Sequence, residues 1–207
     1  MSNHLLDSLL KPRTIALVGA SKKENSPGNQ LTHHILNSDY KGNAYLVNPG
    51  YDLILGSPCY ADLDSLPEVV EHAVLAVGNE RLEQTLVSAI NHGVKAATIF
   101  SSCILDDDTQ PPLKERIKKI AREAGISICG GNCMGFYTPV HELYAGIYPF
   151  PGSVPKGGIS FIAQSGSAFS AFAHNGCRLR FNLCVSSGDE LVTTVADYMS
   201  WSLEQDI

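Results

Sequence analysis

No stretch of this sequence approaches the length of apolar chain that a membrane-spanning helix requires. The amino-terminal arm, Met1 to Arg13, lacks the basic leader and long apolar segment of a secretory signal. Basic residues never run beyond the dipeptide Lys22-Lys23, and the net charge is −6. That balance argues against a nucleic-acid binder, which needs a basic face to neutralise phosphates. Cys-x-x-Cys is also missing. The six cysteines (59, 103, 129, 133, 177 and 184) and the histidines near them do not make zinc-finger spacings. Reduced thiols in a cytoplasmic protein are expected, with no metal, nucleic acid or membrane as partner. An anionic ligand would have to be held by local donors against an overall negative charge.

What is present is enough apolar residue, 44% of 207, for a sizeable core. The chain is organised around Thr14-Ile-Ala-Leu-Val-Gly19-Ala-Ser-Lys-Lys-Glu-Asn-Ser-Pro-Gly28 and the apolar positions Leu31, Ile35 and Leu36. An unbroken apolar run reads as a parallel strand covered on both faces. The glycine at its end lets the backbone turn and lets a ligand come close. The following helix points free N–H groups at the loop, so a phosphate-bearing ligand is the first expectation.

Further strands are expected at Ala44–Val47, His72–Val77, Ala96–Phe100 and Ile126–Cys129, with helices from Glu80 to His92 and from Pro111 or Pro112 to Ala124. Strands alternating with helices imply right-handed crossovers and a doubly wound parallel sheet. The dense proline and glycine of Tyr148–Gly158 read as a linker. A new unit follows: strand Ile159–Ala163, the turn Gln164-Ser165-Gly166-Ser167, a helix to about His174, strand Leu183–Ser186 and helix Val192–Leu203. Domains are therefore expected at 1–150 and 151–207, the second being partial, since about 50 residues make a marginal domain alone.

The dinucleotide fingerprint wants Gly-x-Gly-x-x-Gly and an acid at the end of the second strand. Here the loop is longer, with two glycines, and the second strand ends in Val47-Asn48-Pro49. NAD is disfavoured. A serine hydrolase is weaker still: Gln164-Ser165-Gly166-Ser167 lacks the flanking glycines of a nucleophile elbow, and no histidine follows position 174.

Five motifs occur in order: Val18-Gly19-Ala20-Ser21 with Gly28, Val47-Asn48-Pro49, Phe100-Ser101-Ser102, Gly131-Asn132-Cys133-Met134-Gly135, and Gln164-Ser165-Gly166. As an ordered set, covering the chain from about residue 10 onward, they resemble the NDP-forming acyl-CoA synthetases, the succinyl-CoA synthetase α-subunit superfamily. The resemblance implies a CoA-binding Rossmann-like domain followed by the beginning of a flavodoxin-like ligase domain. It implies that coenzyme A lies over Gly19, Ala20, Ser21, Lys22, Ser26, Pro27 and Gly28, flanked by Asn48, Pro49, Ser101 and Ser102. Relatives often carry a lysine just after the strand-two proline. This chain has Gly50-Tyr51, with Lys22 or Lys23 as substitutes.

The resemblance also implies a phosphate cradle at Ser165, Gly166, Ser167 and Asn132, serving a phosphohistidine. That histidine belongs to a Gly-His-Ala-Gly-type turn, and none of His4, His33, His34, His72, His92, His141 or His174 sits in such a context. It is expected beyond Ile207. ATP or ADP with Mg is expected at an ATP-grasp module outside this chain, in the same longer protein or a separate subunit. A small carboxylic acid as substrate, and an oligomer, complete the expectation. A complete, non-catalytic CoA-binding or sensing module is the alternative, and an NAD-linked oxidoreductase the more distant one.

Overall fold

A computed structural model describes residues 4–148, 156–173 and 178–205. His174, Cys177 and most of the proline–glycine stretch expected to be a linker lie outside the described residues. In chain order the elements are α1 (Asp7–Leu10), β1 (Thr14–Val18), α2 (Pro27–Asn37), β2 (Asn43–Val47), β3 (Leu53–Ile54), β4 (Ser57–Tyr60), β5 (His72–Leu75), α3 (Asn79–His92), β6 (Ala96–Ile99), α4 (Leu113–Ala124) and β7 (Ser127–Gly130). Then come β8 (Gly135–Thr138), a single 3-10 turn (Pro139–His141), β9 (Leu143–Gly146), β10 (Ile159–Ala163), α5 (Gly166–Ala173), β11 (Phe181–Ser186) and α6 (Val195–Leu203).

The first sheet has the order β3-β4-β2-β1-β5-β6-β7, parallel except for β3. Alternation along β1 splits its side chains between two cores. Ile15 and Leu17 join α1, α2 and α6 on one face, whereas Ala16 joins α3 and α4 on the other. Both faces are covered, which is why the strand sequences are continuously apolar. The Rossmann-like doubly wound reading therefore holds. The β3–β4 hairpin is an addition to it. Its two-residue turn, Leu55-Gly56, has φ of 51° and 81°, the left-handed pair that closes a tight hairpin.

The second sheet, β10-β11-β8-β9, is mixed: β10 and β11 are parallel, whereas β8 runs antiparallel to both β11 and β9. The expected division near residue 150 does not separate the sheets, because the hairpin 135–146 pairs with Phe181–Ser186 rather than with the first sheet. Phe136 of β8 points into the core shared with α1 and α2 and stacks on His72 of β5, with ring centroids 5.7 Å apart. Its neighbour Tyr137 points the other way, toward Phe169 of α5. Trp201 of α6 is buried in the shared core and donates from Nε1 to Asp7 Oδ1 at 3.0 Å. The two sheets thus share one apolar core.

Strand β10 is not the buried strand its composition suggests. It lies at a sheet edge, all of its residues are at least partly exposed, and Ile159 is 43% exposed.

Candidate functional site

Gly19 follows β1 with φ of +96°, and its N–H donates to the Val47 carbonyl at 2.9 Å. A Cβ there would lie 2.3 Å from the Ala76 carbonyl oxygen. Gly28 lies against Gly19 in turn, so the start of α2 seats directly on the end of β1. Ser26 caps α2, its Oγ accepting from Asn29 N at 3.2 Å and donating to Lys23 O at 2.7 Å. Pro27 takes the first helical position, where its missing N–H costs nothing. Asn29 Nδ2 holds the Ser21 carbonyl, and Ser21 Oγ accepts from Lys23 N.

Asn48 fastens this loop to the end of β2. Its Nδ2 donates to Ala20 O at 2.7 Å and its Oδ1 accepts from Gly50 N at 2.9 Å. Beyond it, Lys22 Nζ stands 5.2 Å from the centre of the Tyr51 ring. A cation there draws on the ring's quadrupole. Lys22, from the first loop, thus reaches Tyr51, two residues after Pro49.

A cavity of about 310 Å³ opens here, lined by Val18, Gly19, Val47, Asn48, Pro49, Ala61, Asp62, Leu63, Val77 and one face of α3. That face carries Arg81, Gln84, Thr85 and Ser88, while Leu82, Leu86 and Ala89 are buried in the core. The cavity sits at the carboxyl ends of β1, β2 and β5. There the chain order reverses: β2 lies on one side of β1 and β5 on the other. Ligands of open α/β sheets bind at such a switch point. Arg81 and Asp62 are the residues that sequence reasoning misses; the polar stripe of α3 at helical spacing is the signal that would have found Arg81, and no comparable signal marks Asp62.

A second group forms at the ends of β6, β7 and β10. Ser101 O accepts from Asn132 N at 2.8 Å, and the Ser101 hydroxyl is buried without a hydrogen-bond partner. Ser102 Oγ accepts from Asn79 Nδ2 at 3.1 Å. Ser165 caps α5, its Oγ accepting from Ala168 N at 3.2 Å. Gly166 faces the Met134 side chain, whose Cγ would be 2.8 Å from a Cβ, so close packing is the reason for glycine here. Neither Ser101, Ser102, Asn132 nor Ser165–Ser167 lines the 310 Å³ cavity. The expected residues therefore fall into two groups.

Electrostatics separates the ends of the first sheet. A larger hollow, about 650 Å³, lies at the amino ends of β1 and β2, but its cations are engaged: Lys11 by Asp7, Arg13 by Glu71 and Lys41 by Glu142. Among the described residues Arg81 has no ion pair. This cation without an ion pair therefore lines the cavity at the carboxyl end. The neighbouring thiols are poor nucleophiles. Burial pushes Cys103 up to about 11 and raises Cys59, keeping both protonated at neutral pH.

Residues 13–139 match the family described as the CoA binding domain. The chain is 30% identical over 200 residues to the ADP-forming acetate–CoA ligase of Methanocaldococcus jannaschii, covering 94% of this chain and 27% of that protein. It is 29% identical over 212 residues to a trans-feruloyl-CoA synthase of an unknown prokaryotic organism, covering 99% and 30%. Among solved structures, the dinucleotide-forming acetyl-coenzyme A synthetase 1 of Ca. Korarchaeum cryptofilum, in complex with phosphate and ADP, superposes with a TM-score of 0.88 at 27% identity, covering 97% of this chain and 43% of that one. The chain spans less than a third of the two ligases' lengths.

Proposed function

The chain belongs to the CoA-binding domain family, and from that premise we propose that it is the CoA-binding portion of an NDP-forming acyl-CoA synthetase. The observation that carries this reading is the cavity at the switch point, lined by Gly19, Asn48, Pro49 and by Arg81, which has no ion pair among the described residues. The whole protein would convert a carboxylic acid, CoA and ATP into acyl-CoA, ADP and phosphate, through an acyl phosphate and a phosphohistidine outside residues 1–207. Nucleotide and Mg would bind an ATP-grasp module, in the same longer chain or a separate subunit of an oligomer.

The residues present fit CoA. A 310 Å³ cavity is at the small end of ligand pockets, room for one end of the molecule with the rest running over the loop. When bound, CoA supplies the thiol nucleophile. At the start of α2, where Pro27 has no N–H and Asn29 N is capped by Ser26, the Gly28 N–H and the helix dipole would stabilise a pyrophosphate over the loop 19–28. Lys22 adds a charge from above Tyr51. In this reading Ser165, Gly166, Ser167 and Asn132 hold a phosphoryl group, with the start of α5 as the donor surface. The second unit, 151–207 with the hairpin 135–146, is the ligase side of the protein.

Calorimetric titration of the chain with CoA and with NAD tests the proposal. CoA binding with no NAD signal is expected; NAD binding with no CoA signal would overturn it.

A further inference from the structure

Resting on the CoA reading above, we infer that Arg81 reads the 3′-phosphate of the ligand's ribose, so that the cavity selects a 3′-phosphorylated adenosine over its unphosphorylated counterpart. Arg81 lies in the first turn of α3, on the polar face turned to the cavity, which Gly19 at the start of the Lys22-bearing loop 19–28 also lines. The cavity that Arg81 lines also presents the apolar side chains of Val18, Val47, Leu63 and Val77. A ligand that suits it has a flat heterocycle with an anionic group on each side, one toward the glycine loop and one toward α3. A simple dinucleotide has only the first.

The ribose logic points the same way. Where a carboxylate faces a ribose it accepts from a hydroxyl, and where an arginine faces it a phosphate is accommodated. This cavity holds one of each, Asp62 and Arg81. Asp62 is held in place by Ser65, whose N–H donates to Oδ1 at 2.8 Å. Arg81 has no competing carboxylate within ion-pairing range, so its guanidinium is free to take a phosphate bidentately. One hydroxyl and one phosphate on the same sugar satisfy both groups. An unmodified diol would leave the arginine unanswered.

The test is calorimetric titration of the chain with CoA, dephospho-CoA and NADP, repeated for Arg81→Gln, Arg81→Lys and Lys22→Ala. The chain should prefer CoA over dephospho-CoA by about tenfold or more, the scale of a charge-assisted bond. Arg81→Gln should bring that ratio close to one with little loss of dephospho-CoA affinity, and Arg81→Lys should restore part of it. Lys22→Ala should weaken both ligands by a common factor. Arg81 is exposed, so thermal melts of these variants should match the parent. CoA binding with no preference over dephospho-CoA, an Arg81→Gln loss shared equally by both, or tighter NADP than CoA would each overturn the assignment while leaving an anion site at the switch point. Absence of CoA binding altogether would overturn the CoA reading as well.

Discussion

A Cβ on Gly28 would lie 2.0 Å from the carbonyl oxygen of Gly19, closer than any two such atoms can approach. The end of β1 and the start of α2 are therefore in direct backbone contact, and the loop between them is pinned at both ends. The sequence suggests that Gly19 is there for the ligand. The structure gives it two structural duties as well, a left-handed φ of +96° and contact with the Ala76 carbonyl. Gly19→Ala and Gly28→Ala should each cost about 3 kcal/mol through overpacking and strain. In a chain of this size that lowers the melting temperature by roughly 6–12 °C, read by differential scanning calorimetry. A Gly19→Ala variant that lost CoA binding with an unchanged melting temperature would show that ligand approach, not packing, fixes the residue.

His72 gives the protein a specific acid sensitivity. It is fully buried between Thr98, whose Oγ1 lies 2.9 Å from Nε2, and the Phe136 ring, and burial lowers its pKa from 6.5 to about 3. The unfolded chain binds a proton there below pH 6.5 that the folded chain refuses until about pH 3. The contribution is thus intact above pH 6.5 and is lost as pH falls toward 3. Denaturant melts at pH 7, 6, 5 and 4 should show stability falling. His34 and His141, also lowered by burial, add in the same direction. A His72→Phe variant should have a shallower slope. An unchanged slope would assign the effect elsewhere.

Most of the first sheet is legible in the sequence because each βα unit carries its own signals: an apolar run, a turn residue and a 3.6-residue apolar stripe. The hairpin of β8 and β9 carries none of these. Its strands are four residues each, joined through Pro139 and a Glu142 at φ of 56°, and they pair with Phe181–Ser186 far along the chain. That pairing is decided by tertiary packing of Phe136 and Tyr137 on opposite faces, which local pattern does not encode. The site divides similarly. Gly19, Asn48 and Pro49 are readable because they end strands, whereas Arg81 and Asp62 meet only once β5 is laid on the far side of β1.

The single tryptophan reports on the union of the two sheets. Trp201 is 2% exposed, and its Nε1–H donates to Asp7, which lies in α1 at the other end of the chain. Trp201→Phe should cost about 1.5 kcal/mol for a bond to a charged acceptor, and Asp7→Asn less. A double-mutant cycle should show coupling between them. Native Trp201 fluorescence should be blue-shifted and move to longer wavelength in the same transition that far-UV circular dichroism follows. Earlier loss of the fluorescence signal would mean that the second sheet detaches before the first unfolds.

Lys22 tests the electrostatic part of ligand binding. Its ammonium is exposed above Tyr51, so its attraction for a phosphate is screened by salt. Lys22→Ala with Lys23→Ala should weaken CoA and flatten the dependence of affinity on salt between about 50 and 300 mM, over which the Debye length falls from about 14 to about 6 Å. Tyr51→Leu should give part of the loss by freeing the lysine. Unchanged salt dependence in the double variant would move the anion contacts to the backbone of α2 alone.

The phosphoryl chemistry of the proposed enzyme should not be completed on these residues. A histidine that accepts phosphate must bring a ring nitrogen to the donor, and among the described residues no hydrogen bond ties a histidine to Ser165 or Asn132. His72 is sealed in the core and its Nε2 is engaged by Thr98. His34 Nδ1 is 2.7 Å from the Gly146 carbonyl, His4 Nδ1 accepts from Leu6 N, and His92 Nε2 accepts from Val70 N beside the Asp64 carboxylate. His141 lies edge-on to Trp201, with its pKa lowered by burial. Ser165, which opens α5, can offer a phosphate the start of the helix, and its Oγ accepts from Ala168 N, with no base among the described residues hydrogen-bonded to it to draw off its proton. Incubating the chain with radiolabelled ATP or acyl phosphate should leave no acid-labile label, and Ser165→Ala should change only weak phosphate or sulfate binding. A stable acid-labile adduct mapped to any of the seven histidines, His33 and His174 included, would place the phosphorylated residue within residues 1–207 and overturn the expectation that it lies outside them.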